Sequence, residues 1–296
     1  MRGSAADLML LATVTLWALN FTVSKYILDQ GFHPLSYSAV RYGAASLVFL
    51  GLTLMWEGSL RIGRQDFALT GACIVVLFVN QLCFVYALAF TTATTVALLF
   101  GTLPIFTALV ARGAGVERQT LRFWIAALLS FGGVALVAIG SGGKLSTDLK
   151  GDALALGGAM TWAVYSVAIA PLMRRHSPFR LSAVFLPAVT VLLFAVGVRQ
   201  VGEQHYGDFG ALVWIGFAFA VLGPLVTTNL LWFTAIRRVG PSRASLFANL
   251  QPFLAAIVAL LVLSERITTL QVAGGLALAG GIVLAPRVRP PTPDAD

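Results

Sequence analysis

The chain reads as an all-α polytopic membrane protein, ten transmembrane helices in two inverted five-helix repeats, and three observations carry that reading. Its 296 residues are 58% hydrophobic and 11% charged, with mean hydropathy +0.87, where a soluble domain carries about 25% charged residues. The apolar residues gather into ten runs, each near the roughly 20 residues that cross the hydrocarbon. One phrase is also written twice, as "LLFGTLPIFTALVARGAGVERQT" at 98–120 and "LFANLQPFLAAIVALLVLSERIT" at 246–268.

The predicted spans lie near 8–28, 34–56, 67–89, 92–111, 121–140, 152–171, 181–198, 211–235, 242–263 and 269–285. The first, "MRGSAADLMLLATVTLWALNFTVSKYIL", has an apolar run too long for a signal-peptide core and no small-residue cleavage site after it, so it is expected to be retained. Cys73 and Cys83 share the third span. Ten residues of helix separate them by about 15 Å, beyond disulfide reach.

The basic residues set the orientation. Fourteen lie in the N-terminus, the tail and the connections near 57–66, 112–122, 172–180 and 236–243; five lie on the opposite side. That excess puts both termini in the cytoplasm. The net charge of +8 is scattered between apolar runs instead of forming a patch, so nucleic acid is not an expected partner. The lipid bilayer is.

The duplication extends past the opening phrase. "GGVALV" at 132–137 precedes "GGIVLA" at 280–285, and "LWALN" at 16–20 matches "TWAVY" at 161–165, aligning Trp17 with Trp162. The repeats are therefore placed at 1–142 and 150–289, with a disordered tail at 290–296. Five spans per copy force the second copy to enter from the other side, putting Glu117 and Glu265 on opposite faces. Inverted repeats are the architecture of secondary transporters, although a duplication without mechanical role would leave the same trace.

Two halves that each close with apolar-Pro-apolar-Glu-Arg and then a Gly-Gly span resemble the EamA family of the drug/metabolite transporter superfamily. "HPLSYSAVRYGAASLVFL" at 33–50 resembles that family's second span, while the second half has Leu186 and Pro187 where an Arg-aromatic pair would stand. Within the family the chain is most similar to the YddG-type exporters of aromatic and neutral amino acids. The resemblance implies an inner-membrane secondary transporter of bacterial type, exporting neutral or aromatic amino acids or similar small metabolites by alternating access. An unrelated neutral metabolite or drug, or a channel-like pore, is the alternative.

Polar side chains at membrane depth mark where a substrate would sit. Asn20, Asn80, Gln81, Asn229, Asn249 and Gln251 recur near the middle of spans 1, 3, 8 and 9, with Trp17, Tyr86, Trp162 and Tyr165 as aromatic neighbours. Each amide either lines a cavity or joins helices through hydrogen bonds worth about 0.6–2 kcal/mol. Arg41 lies seven residues beyond Pro34, about 10 Å along its helix. It either holds a substrate carboxylate in its planar fork or snorkels back to the interface.

All twelve acidic residues fall in connections, tails or span ends. That speaks against a pump for lipophilic cations and against antiport through a buried carboxylate, and favours facilitated diffusion or exchange. Pro104 and Pro252 are expected to kink spans 4 and 9, either as matched hinges or as fixed bends that shape the cavity. The Glu-Arg pairs read as interfacial anchors, Thr268-x-x-Gln271 as a capping box, and Ala273, Ala277 and Gly281 as a small face for close helix contact. His33, His176 and His205 lie in connections, with no HExxH and no buried aspartate pair. No enzyme, metal site or cofactor is expected, and one chain suffices for a functional monomer.

Overall fold

A computed structural model describes residues 2–140, 142, 148–254, 257 and 268–285, and among these every regular element is helical. In chain order the helices are α1 (Arg2–Asp29), α2 (Pro34–Glu57), α3 (Phe67–Phe90), α4 (Ala93–Phe100), α5 (Leu103–Gly113), α6 (Leu121–Gly140), α7 (Leu149–Arg175), α8 (Pro178–Glu203), α9 (Ala211–Val221), α10 (Thr228–Val239), α11 (Pro241–Ala248) and α12 (Thr269–Leu284). Eight segments are long and apolar enough to cross a membrane, counting α4–α5 and α9–α10 as one each, and α12 is a shorter apolar helix. The ninth predicted span is described only as α11 and helical residues 251–254 and 257. Glu265 and the 290–296 tail lie outside the described residues.

Local chemistry fixes the helix ends. Ser177 caps α8 by accepting from the Arg180 N–H, and Pro178 occupies the first turn, where a missing N–H costs nothing. Gly58 closes α2 at φ +63°, a left-handed position that suits a residue without Cβ. The capping box predicted at Thr268 and Gln271 is present.

The fourth span differs from expectation. In place of one kinked helix over 92–111 there are two, α4 and α5, with a break at Gly101 and Thr102. Pro104 has no N–H to give and would press on the preceding turn. Breaking the helix just ahead of it places Pro104 in the first turn of α5, where neither fault matters. Asn249 and Leu250 form the same break 148 positions later, ahead of Pro252. The prolines start half-helices; they do not bend whole ones.

The eighth span holds a second irregularity. Residues Leu222–Thr227 form a π-helical turn between α9 and α10, around Pro224. The Thr227 hydroxyl donates to the Leu222 carbonyl (2.8 Å), and that of Thr228 donates to the Pro224 carbonyl, re-satisfying groups the wider turn frees.

Antiparallel pairs hold the bundle together. α2 lies along α8, with Leu35 against Gly197 near one end and Glu57 bound to Arg180 (3.1 Å) at the other. α3 lies along α7, and α1 along α9–α10, where Trp17 Nε1 donates to Thr228 Oγ1 (3.0 Å). α6 and α12 meet backbone to backbone. A Cβ on Gly133 would stand 2.8 Å from the Gly274 carbonyl, and one on Gly281 would stand 2.9 Å from that of Ala126. A shift of 148 positions turns the pair 126–281 into 274–133. The α12 residues in the seam are Gly274, Leu278 and Gly281; of the others expected there, Ala273 is exposed and Ala277 half-buried. Where lipid replaces water, such close approach is what dispersion needs to hold helices together.

Candidate substrate cavity

A partly open cavity of about 90 Å³ lies between α1, α2, α3, α4–α5, α7, α8, α10 and the π turn. Of the residues predicted from sequence, Trp17, Asn20, Arg41, Asn80, Gln81, Trp162, Asn229 and Gln251 line it. Phe21, Tyr42, Leu77, Phe84, Phe100, Leu103, Leu186, Pro224 and Leu225 complete the wall.

Trp17 and Trp162 line it, with Trp232 packed against both. Trp17 contacts Trp162 edge-on at 5.4 Å between centroids and Trp232 at 4.8 Å. Trp232 is fully buried beneath the other two. Trp17 and Trp162 occupy matching positions in the two halves of the sequence, and their rings touch in the cavity wall. Such ring pairs contribute about 0.5–1.5 kcal/mol beyond their buried area.

The amides divide their bonding between helix joining and the cavity. Asn80 Nδ2 donates to the Gly158 carbonyl (2.8 Å) and Thr161 Oγ1 (3.1 Å), which joins α3 to α7. Asn20 Oδ1 accepts from Ser24 (3.2 Å), whose hydroxyl also meets Tyr37 Oη at 2.8 Å. Gln81 joins α3 to α2, donating to Ser38 Oγ (3.0 Å) and accepting from Arg41 Nη2 (3.1 Å). Gln251 Oε1, Trp162 Nε1 and Arg41 Nε are buried without a hydrogen-bond partner. Each such group costs about 1–3 kcal/mol until something meets it.

Arg41 does not snorkel. It is 3% exposed, and its guanidinium lies over Tyr37 (5.0 Å), Tyr42 (5.7 Å) and Phe84 (5.8 Å). These are cation–π distances.

Three predicted residues stand outside the cavity. Tyr86 stacks on Phe90 and accepts through its hydroxyl from Gln200 Nε2 (3.2 Å), which joins α3 to α8. Tyr165 is buried behind Trp162, against Phe185 and Phe233. Asn249 is a junction: its Nδ2 donates to the Gly101 carbonyl (3.1 Å) and to Ser130 Oγ (3.1 Å), bridging the two helix breaks. Pro104 and Pro252 sit just beyond those breaks.

Several ion pairs join helix ends on one face of the bundle. In the turn before α3, the buried Asp66 carboxylate binds His176 Nε2 (2.8 Å) and Arg175 Nη1 (2.6 Å). The hydrogen bond to His176, then those to Arg175, hold its carboxyl below the usual range against the opposing effect of burial. Glu57 binds Ser177 and Arg180 beside it, and Asp7 pairs with Arg243 (3.0 Å). On the same face Glu117 lies beside Gly240, in the turn between α5 and α6. Burial pushes its carboxyl up, against hydrogen bonds from Ser242 and Gln119.

A many-helix membrane bundle around a central polar-aromatic cavity is the form of a solute carrier. The model of the EamA-like transporter family matches residues 4–139 and again 149–285, so the chain belongs to that family. Its relatives include YyaM of Bacillus subtilis, an uncharacterized transporter 28% identical over 94% of this chain and 92% of its own. YedA of Escherichia coli K12, an uncharacterized inner membrane transporter, is 24% identical over 84% of this chain and 80% of its own. A solved crystal structure shares the fold with TM-score 0.78 at 18% identity, covering 95% of this chain and 96% of the other. The protein is a multi-pass membrane transporter.

Proposed function

We propose that the chain exports neutral or aromatic amino acids, or similar small metabolites, across a bacterial inner membrane by alternating access between two inverted five-helix repeats. The observation that carries this reading is that matched residues of the two halves meet, at the cavity and beside it. Trp17 touches Trp162, Asn249 touches Gly101, and the 126–281 contact is the counterpart of 274–133. Two copies related in this way can exchange conformations around one site, so that the site opens to one side and then the other. The separate family match to each half supports the same reading.

The cavity's chemistry supports the cargo class. Its aromatic walls suit an apolar or ring-bearing body, and its amides and guanidinium suit a polar head. Among the described residues no carboxylate lines it, which favours facilitated diffusion or exchange over antiport through a buried acid. The excess of basic residues on the face bearing both termini supports a cytoplasmic location for them. The cavity is complete within one chain, so the monomer is the transporting unit.

Uptake of radiolabelled phenylalanine into proteoliposomes containing only this protein tests the reading. Saturable uptake, weakened by Trp162→Ala, is expected. Uptake that rises linearly without saturation would replace the carrier with a pore.

A further inference from the structure

Three charged side chains are buried among the described residues: Arg41, Asp66 and Arg243. Asp66 is paired with Arg175 and His176, and Arg243 with Asp7. Arg41 has no acidic partner among the described residues, although it is the one of the three that faces the cavity. A guanidinium keeps its charge in proteins, and an unpaired charge at membrane depth is costly. Helix packing does not require the charge, because Gln81 and Ser38 already join α3 to α2 through neutral groups.

From this we infer that the cavity is an anion site: Arg41 is the counter-ion for the cargo's carboxylate, and the cargo's ammonium group is dispensable for recognition. The inference rests on the proposed carrier function and deepens it by naming which half of the polar head is read. The geometry leaves part of the guanidinium unbonded. One Nη is held by Gln81 Oε1 at 3.1 Å, which fixes the plane, while Nε has no partner. The Tyr37, Tyr42 and Phe84 rings lie within 5.8 Å of its Cζ, and the donors of a guanidinium lie in its plane. An arginine edge matches a carboxylate with two parallel charge-assisted hydrogen bonds.

Nothing comparable exists for a cation among the described residues. Among the described residues the carboxylates stand in turns and helix ends, and none lines the wall. An ammonium would meet only amide oxygens and ring faces. Asn20 Oδ1 already accepts from Ser24, which leaves fewer of them. A site built around one buried donor rejects analogues that lack the matching acceptor far more strongly than it distinguishes apolar bodies. Organic monocarboxylates with an aromatic or apolar body are therefore cargo of the same rank as the corresponding amino acids.

The test is equilibrium binding to the full chain in nanodiscs, read by tryptophan fluorescence from the Trp17–Trp162–Trp232 cluster. Four probes of matched body are compared: phenylalanine, 3-phenylpropionate, phenylalaninamide and phenethylamine. Phenylpropionate is expected to bind within about threefold of phenylalanine, and the amide and amine at least about tenfold more weakly, as the loss of a charge-assisted pair requires. In Arg41→Gln the carboxylates fall to the level of the amide, while Arg41→Lys keeps part of the preference. The ranking among probes is read on the unaltered protein, so it stands even if a variant folds poorly. Equal binding of the amide or amine overturns the inference, as does an Arg41→Gln protein that still prefers carboxylates. Binding of none of the four overturns it too, and saturable proteoliposome uptake of an uncharged metabolite would then show the carrier function standing without it.

Discussion

Gly132 and Gly133 are neighbours in α6 that differ in what lies above them, and substituting each with alanine separates packing from helix propensity. A Cβ on Gly133 would come to 2.8 Å from the Gly274 carbonyl oxygen, 2.9 Å from Leu278 Cγ and 3.1 Å from the Leu278 nitrogen. Two of these atoms are backbone of α12, so relief requires the helices to part by several tenths of an ångström. A gap of 0.5–1 Å forfeits roughly a quarter to a half of each contact's dispersion energy, and overpacking of this kind costs about 1–3 kcal/mol. A Cβ on Gly132 meets nothing within 4 Å. Both changes gain about 1 kcal/mol of helix propensity, so that gain cancels in the comparison. Gly133→Ala is expected to be about 1–3 kcal/mol less stable than Gly132→Ala, read as a lower unfolding temperature of purified protein in detergent. Equal stability of the two would refute the α6–α12 seam.

Further outcomes follow from the same contacts. Asn249→Leu strands the Gly101 carbonyl and Ser130 hydroxyl and is expected to cost about 1–3 kcal/mol, measurable in the same unfolding assay. Pro104→Ala restores an N–H just after the break at Gly101 and Thr102 and favours one continuous helix. Transport should slow several-fold while phenylalanine binding is kept; an unchanged rate would reduce the break to a fixed feature of the wall. Asp66 has its carboxyl held below the usual range, so the folded state gains stability above an ordinary carboxylate pKa of about 3.9 and loses it as pH falls through the lower folded value. Asp66→Asn should remove this acid-side dependence, checked by unfolding temperature across pH 3–7.

Much of this architecture is legible in the residues alone, because a bilayer permits few solutions. Long apolar runs with scattered charge can only be spanning helices, and the doubled proline phrase marks the two helix breaks at Gly101 and Asn249. The polar residues at mid-span depth mark the cavity, and most of them line it. What the sequence hides is rotation. Spans that are apolar on every side carry no stripe to show which face turns inward, so Tyr86 and Tyr165 are as plausible in the wall as Trp17 and Trp162. Only packing against α8 and Phe185 places them elsewhere. The α6–α12 seam misses Ala273 for the same reason. Asn249 carries two possible roles in sequence, and its bond to Gly101, 148 residues away, decides between them. The π turn does carry a sequence signal: a Gly-Pro pair inside an apolar run, at 223–224, is where a helix is least able to continue unchanged.

Alternating exposure of one cavity is the centre of the account, and a single thiol tests it directly. Phe100 lines the cavity and is partly exposed, and the chain's own thiols, Cys73 and Cys83, can be replaced by alanine. Phe100→Cys in that background would be treated with a membrane-impermeant thiol reagent in right-side-out and in inside-out vesicles. Reaction from both sides, slowed by phenylalanine or phenylpropionate, is the predicted result. Reaction from one side alone, with and without those compounds, would contradict it.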